Sequence, residues 1–136
     1  MILIQYVPIE HVYRAWPIVE PLLKRSVESS MDDYTVDALK VDIIQGRQTL
    51  VVAIQDNNII GAATLQVNNY PNHRVVYITS TGGKGIINDE VFGQIETWAK
   101  AQGATKIRAV ARPAQARLYQ NNTGLNPLTT ILEKTI

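Results

Sequence analysis

The 136-residue chain has no cysteine. That excludes disulfides, thiolate metal sites and a cysteine nucleophile, and it is compatible with a reducing compartment. Histidine is almost as scarce. His11 and His73 lie far apart in sequence, which argues against a zinc site. Neither sign of charge dominates: 13 Lys and Arg against 12 Asp and Glu leave a formal net charge of +1. No general attraction to nucleic acid is therefore expected, and such a partner would need a local basic patch. No apolar run is long enough to cross a bilayer. The N-terminal MILIQYVPIEHVYRAW lacks the basic segment and small-residue cleavage site of a signal peptide, so a cytoplasmic protein is expected. Aromatics are only 7% of the residues, and the interior must be built mainly from Ile, Val, Leu and Ala. The length predicts one domain over residues 1–136.

Hydrophobic periodicity predicts the elements. Ile2–Tyr6 reads as a strand ended by Pro8. Ile9–Ser30 reads as helical, with Val12, Trp16, Val19, Leu22, Leu23 and Val27 on one stripe. Pro17 and Pro21 each remove a backbone donor, which predicts a kink or two shorter helices. Ser29-Ser30-Met31-Asp32-Asp33 reads as a break. Thr35 then caps a helix over Val36–Gln45, with Val36, Leu39, Ile43 and Ile44 inward and Gly46 as its stop. Thr49–Gln55 and Ile59–Asn68 form a hairpin around Asp56-Asn57-Asn58, and Arg74–Ser80 follows as a third antiparallel strand. A helix over Asp89–Gln102, a strand over Thr105–Ala111, a short helix over Ala114–Asn121 and a last strand over Leu128–Lys134 complete the chain. A meander followed by a β-loop-α-β crossover predicts an α/β mixed, twisted sheet with helices on both faces.

The segment between the third strand and the next helix carries the clearest chemical signal. Thr81-Gly82-Gly83-Lys84-Gly85 is a glycine-rich turn, and Asn88-Asp89-Glu90 opens the helix. Free amides and the positive end of a helix dipole converge at such a turn, which makes it an anion site. The same residues also fit a plain structural reading, in which Asn88 caps the helix and the two acids complement its dipole.

The element order, Ile60-Gly61-Ala62, ETWAKAQGATKI (Glu96–Ile107), Arg117-Leu118-Tyr119-Gln120 followed by Gly124-Leu125, and Leu132-Glu133-Lys134 form an ordered set. On that set the chain resembles the GCN5-related N-acetyltransferase (GNAT) superfamily over nearly its whole length. Gly-Gly after the fourth strand and Arg-Pro after the fifth are similar to small GNAT-like proteins of tailed phages and prophages.

The resemblance implies a V-shaped cleft between Arg74–Ser80 and Thr105–Ala111, where acetyl-CoA binds. Pantetheine would pair with the backbone at Ile78, Thr79 and Ser80. The pyrophosphate would rest on a loop containing Gly82, Gly83, Lys84, Gly85 and Asn88. Tyr119 would be the proton donor to the departing thiolate. A small-molecule amine or a protein amine would attack the thioester directly, and a homodimer is compatible with the family. Two registers of the pyrophosphate motif stay open. Alignment on the glycines puts Ser80 where the family has Gln or Arg. Counting back from Gly103 puts Gly83, Ile86 and Asn88 on the motif. The fourth strand has no acidic residue to act as base, which leaves Glu28, Asp32, Asp33 and His73 as candidates. Lys106, Arg108, Arg112 and Arg117 form a basic group for a 3′-phosphate or an acidic partner. Tyr34 and Tyr70 fall in loops where the family's acceptor site lies. The alternative reading is a degenerate GNAT-fold component of a virion or a host-interaction complex, located in the virion or host cytoplasm.

Overall fold

The computed structural model describes residues 1–29 and 33–136. The fold is a five-stranded sheet in the order β1-β2-β3-β4-β5. Its strands are β1 (Leu3–Tyr6), β2 (Thr49–Gln55), β3 (Asn58–Asn69), β4 (Arg74–Gly83) and β5 (Lys106–Ala109). The first four pair antiparallel, and β5 joins β4 in parallel. A 3-10 turn (Ile9–His11) leads into α1 (Val12–Ser29). The other helices are α2 (Val36–Ile44), α3 (Phe92–Ala101) and α4 (Pro113–Thr123).

Strand alternation divides the interior between two faces. Leu50 and Val52 of β2 face one cluster with Val12, Trp16, Val19 and Leu23 of α1 and Leu39 and Ile43 of α2. Val51 and Ala53 face the other, with Phe92, Ile95 and Ala99 of α3 and Tyr119 of α4. The expected mixed sheet with helices on both faces is therefore present. Every residue of the LVVA run in β2 is buried, because both faces are covered.

Several element expectations need correction. Helix α1 runs unbroken through Pro17 and Pro21. The two prolines stand four residues apart and both are exposed, so the carbonyls they release lie on the solvent side. The buried stripe of Val12, Trp16, Val19, Leu23 and Val27 holds the opposite side. Ile44 of α2 is exposed rather than inward. The Leu128–Lys134 strand is absent: the chain beyond Gly124 has no regular structure, and Leu128, Ile131 and Leu132 are exposed. Residues 30–32 of the predicted break, Asp32 among them, lie outside the described residues.

The hairpin turn forms as expected, with Asp56 and Asn57 at φ of 52° and 64°. Edge strand β1 is closed by α3: the Ile4 amide donates to Gln94 Oε1 at 3.0 Å.

Candidate active site

Strand β4 extends past Ser80 to Gly83, so Gly82 and Gly83 are strand residues opposite Ala62 and Gly61, not part of a loop. The close approach of α1 explains why glycine is needed at Gly82: a Cβ there would collide with the Leu22 carbonyl. At Gly83 a Cβ would meet the Ile60 carbonyl, and φ is +72°. The glycines thus serve the sheet and its helix.

The turn proper is residues 84–91. Lys84 is exposed and its amide is tied to the Ile60 carbonyl at 2.9 Å. Asn88 does not cap α3 directly. Its Oδ1 accepts from the Glu90 amide at 2.9 Å, and its carbonyl accepts from Val91 and Phe92. The helix starts at Phe92, three residues later than expected, and Val91 at its N-cap has no side-chain cap. Among the described residues, no acceptor lies opposite the amides of Gly85, Ile86, Ile87 and Asn88. Asp89 and Glu90 are exposed beside them.

Strands β4 and β5 separate. Their pairing covers Val75↔Lys106 to Ile78↔Ala109 and then stops, while β4 continues for residues 79–83 with no strand on that side. A β-bulge sits at the same point. Thr64 faces Ser80 but Leu65 faces Ile78, so Thr79 is the extra residue. Ordinary alternation would send the Thr79 and Ser80 side chains to opposite faces, and the bulge turns both to one side. Thr79 Oγ1 and Ser80 Oγ reach Thr64 Oγ1 at 2.6 and 2.5 Å.

A cleft of about 150 Å³ opens here, on the α1–α2 side. Val27, Leu39, Ile78 and Val110 form its apolar part, and Asp33, Tyr34, Gln48, Tyr77, Thr79 and Ser80 its polar part.

The end of α2 supplies the deeper polar groups. Gly46 takes φ +78°, and the Arg47 amide turns back to the Asp42 carbonyl at 2.9 Å while that of Gly46 donates to Ile43. This is a Schellman closure, and it brings Arg47 and Gln48 onto the Asp42 side chain. Arg47 Nε donates to Asp42 Oδ1 at 2.8 Å and Gln48 Nε2 to Asp42 Oδ2 at 3.2 Å. The Arg47 hydrogen bond, then that of Gln48, holds the Asp42 carboxyl below its ordinary value. Tyr34 is raised, chiefly by the charge of Asp42. Gln48 Oε1 in turn accepts from Thr79 Oγ1 at 2.5 Å. At the rim, Arg108 lies over the Tyr70 ring at 5.8 Å, and its hydrogen bond to Tyr77 makes that phenol more acidic than usual.

Tyr119 is on the other side of β4. It is buried with Ile78, Ile86 and Phe92, and its hydroxyl has no hydrogen-bond partner among the described residues. Burial alone raises its pKa. It does not line the cleft. Of the remaining candidates, Asp33 and Tyr34 line the cleft, whereas Glu28 is exposed at the end of α1 and His73 sits in the β3–β4 turn. Lys106, Arg112 and Arg117 are exposed.

Sequence reading missed Asp42, Gln48, Thr64 and Tyr77. Gly46 was a signal for the first two, since the turn it permits returns the chain to Asp42. Nothing in the sequence marks the bulge that turns Thr79 toward Thr64.

No protein-family model matches the chain, and no curated protein does. Solved structures do. A ribosomal-protein-alanine N-acetyltransferase from Brucella melitensis superposes with a TM-score of 0.67 at 10% identity, covering 100% of this chain and 98% of that one. An aminoglycoside acetyltransferase from an uncultured soil metagenomic sample, in complex with sisomicin, gives 0.69 at 13% identity, covering 99% and 96%. An aminoglycoside N-acetyltransferase in complex with CoA gives 0.66 at 16% identity, covering 99% and 95%. The fold is that of the GNAT acetyltransferases. In this GNAT-fold chain the glycine pair belongs to β4, and the turn amides without acceptors follow it.

Proposed function

We propose that the protein is an acyl-CoA-dependent N-acyltransferase that acts on an amine bound in the cleft beside Thr79 and Ser80. The observation that carries this reading is the end of β4–β5 pairing at Ile78 and Ala109, with a bulge and a cleft at that point. Solved structures of this fold include an enzyme complexed with CoA and another with sisomicin, an aminoglycoside.

Two features of the chain fit acetyl-CoA. One is the set of amides of residues 85–88, without acceptors among the described residues, for the diphosphate. The other is the buried Tyr119 hydroxyl with no internal partner. Lys84 adds a positive charge near the first and offsets part of Asp89 and Glu90. Acetyl-CoA supplies the thioester carbonyl to be attacked.

The residues divide the work across β4. On the α1–α2 side, Thr79, Ser80 and the cleft walls hold the amine near the opened strand edge, so that attack is nearly intramolecular. On the α3–α4 side, Tyr119 would be the residue to serve the thioester sulfur. Burial keeps it protonated at neutral pH. A thiol has a pKa of roughly 8.5, well below that of this phenol. Full transfer of the tyrosine proton to a thiolate is therefore uphill. Tyr119 would stabilise a departing sulfur by donating a hydrogen bond, and the proton that finally settles there would come from the acylated amine.

Isothermal calorimetry with acetyl-CoA and with ATP tests the proposal. Heat and a thermal upshift are expected with acetyl-CoA and neither with ATP, since a ligand that binds only the native state stabilises it. Absence of binding by millimolar acetyl-CoA overturns it.

A further inference from the structure

Five polar side chains from four elements make one continuous hydrogen-bonded row: Asp42 of α2, Gln48 before β2, Thr64 of β3, and Thr79 and Ser80 of β4. Asp42, Gln48, Thr64 and Ser80 are buried. Two buried hydroxyls, an amide and a carboxylate are costly in a well-packed interior, since each needs a partner. Stability alone does not call for such a row.

Its polarity is forced from one end. An ionised carboxylate only accepts. Gln48 must therefore turn its NH₂ to Asp42 Oδ2, which leaves Oε1 toward Thr79. Oε1 is also only an acceptor, so the single Thr79 hydroxyl hydrogen points to it at 2.5 Å. The other acceptor within reach of that hydrogen, the Thr64 carbonyl, is farther at 3.2 Å and equally inward. With the Thr79 hydrogen committed, Thr64 donates in the 2.6 Å bond to Thr79. With the Thr64 hydrogen committed, Ser80 donates in the 2.5 Å bond to Thr64. Every hydroxyl hydrogen of the row runs inward toward Asp42, and the Thr79 and Ser80 hydroxyls present only lone pairs to the cleft.

We propose that Asp42 is a positioning residue for the acceptor substrate: through Gln48, Thr79 and Thr64 it turns Thr79 and Ser80 into hydrogen-bond acceptors that orient an N–H donor in the cleft. This rests on the acyltransferase reading for its purpose, but it predicts binding by itself. At Thr79 and Ser80 the wall accepts an amine or ammonium group, whereas a carboxylate or phosphate there meets lone pairs with no hydroxyl hydrogen to share. The cleft of about 150 Å³, with Val27, Leu39, Ile78 and Val110 in its lining, suits a compact apolar body behind that group. A dry cavity of roughly that volume takes one benzene ring. A bulky polycationic sugar exceeds it.

Benzylamine and benzoate are matched probes of the wall. NMR titration of the protein should move the Thr79 and Ser80 amides with benzylamine and leave them in place with benzoate. Thr64→Val cuts the row at a residue with no solvent exposure and keeps its shape. It should weaken benzylamine about tenfold, and Thr64→Ser should restore the affinity. Asp42→Asn allows the row to reverse, so benzylamine should weaken and benzoate should gain affinity. A merely structural role for Asp42 predicts no such exchange of preference. Acetyl-CoA affinity, measured separately by calorimetry, should be unchanged in all three variants. Equal benzylamine affinity in wild type and Thr64→Val, or no response of Thr79 and Ser80 in the wild type, overturns the assignment. Failure of acetyl-CoA to bind overturns the acyltransferase reading and leaves the amine result standing.

Discussion

Replacing Tyr119 with phenylalanine should make the protein more stable and the enzyme slower. The hydroxyl is buried and has no hydrogen-bond partner. A neutral polar group desolvated without compensation costs about 1–3 kcal/mol, and removing it recovers most of that. Unfolding entropy near the transition is about 2 cal/mol/K per residue, so for a chain of this length 1 kcal/mol corresponds to ~3–4 °C. Tyr119→Phe should therefore raise the melting temperature of the ligand-free protein by about 3–10 °C. Tyr6 provides the control. Its hydroxyl is also buried and unpartnered, but its ring stacks on Trp98 at a centroid distance of 5.1 Å, away from the cleft lining. Tyr6→Phe should stabilise in the same way. Only the Tyr119 variant should slow acetyl transfer, by ~10²-fold, the low end of what losing one preorganised hydrogen-bond donor costs. Differential scanning calorimetry and a thiol-release assay read the two effects. A lower melting temperature for Tyr119→Phe means the hydroxyl has a partner and refutes the energetic argument. Equal slowing in both variants refutes the assignment of Tyr119 to the sulfur.

Gly82→Ala should destabilise the fold by at least 1–3 kcal/mol, since the new Cβ meets the main chain of α1, which cannot rotate away as a side chain can; chemical denaturation measures it. Truncation after Pro127 should leave the melting temperature within about 2 °C of wild type, because Leu128, Ile131 and Leu132 are exposed and unpaired; a larger loss would mean that this segment packs. Asp42 has a lowered folded-state pKa, so its contribution to stability is present above the unfolded value of 3.8 and is lost as pH falls below it. Acid unfolding should accordingly be less steep in Asp42→Asn. Burial pushes the Tyr6 phenol from 10.0 up to about 12, so its contribution is full below pH 10 and is lost as pH rises through 12. Tyr6→Phe should flatten alkaline unfolding in that interval.

Local patterns in the sequence determined the elements and the sheet they form. The LVVA run of β2 required cover on both faces, the Asp56-Asn57 pair supplied the positive φ that a tight hairpin needs, and the α1 stripe fixed which side of that helix faces inward. Thr35 and Gly46 marked the ends of α2, because caps are built from residues adjacent in the chain. These are short-range effects, and periodicity or residue type records them.

The site was legible only in part. Thr79, Ser80 and the glycine segment were visible as a region, but their chemistry was not. Gly82 and Gly83 read as a loop because a glycine pair signals a turn, whereas β3 is long enough to pair them and α1 lies close enough to require them. The closing Leu128–Lys134 segment has the composition of a strand but pairs with no strand among the described residues. Tertiary structure alone decided where β4 and β5 part and which residue bulges. It also decided that Asp42, Gln48, Thr64, Thr79 and Ser80 share one row of hydrogen bonds. The physical reason is that pairing partners and hydrogen-bond direction depend on groups distant in sequence, and a single orphaned or committed proton at one end fixes what the other end presents to a ligand.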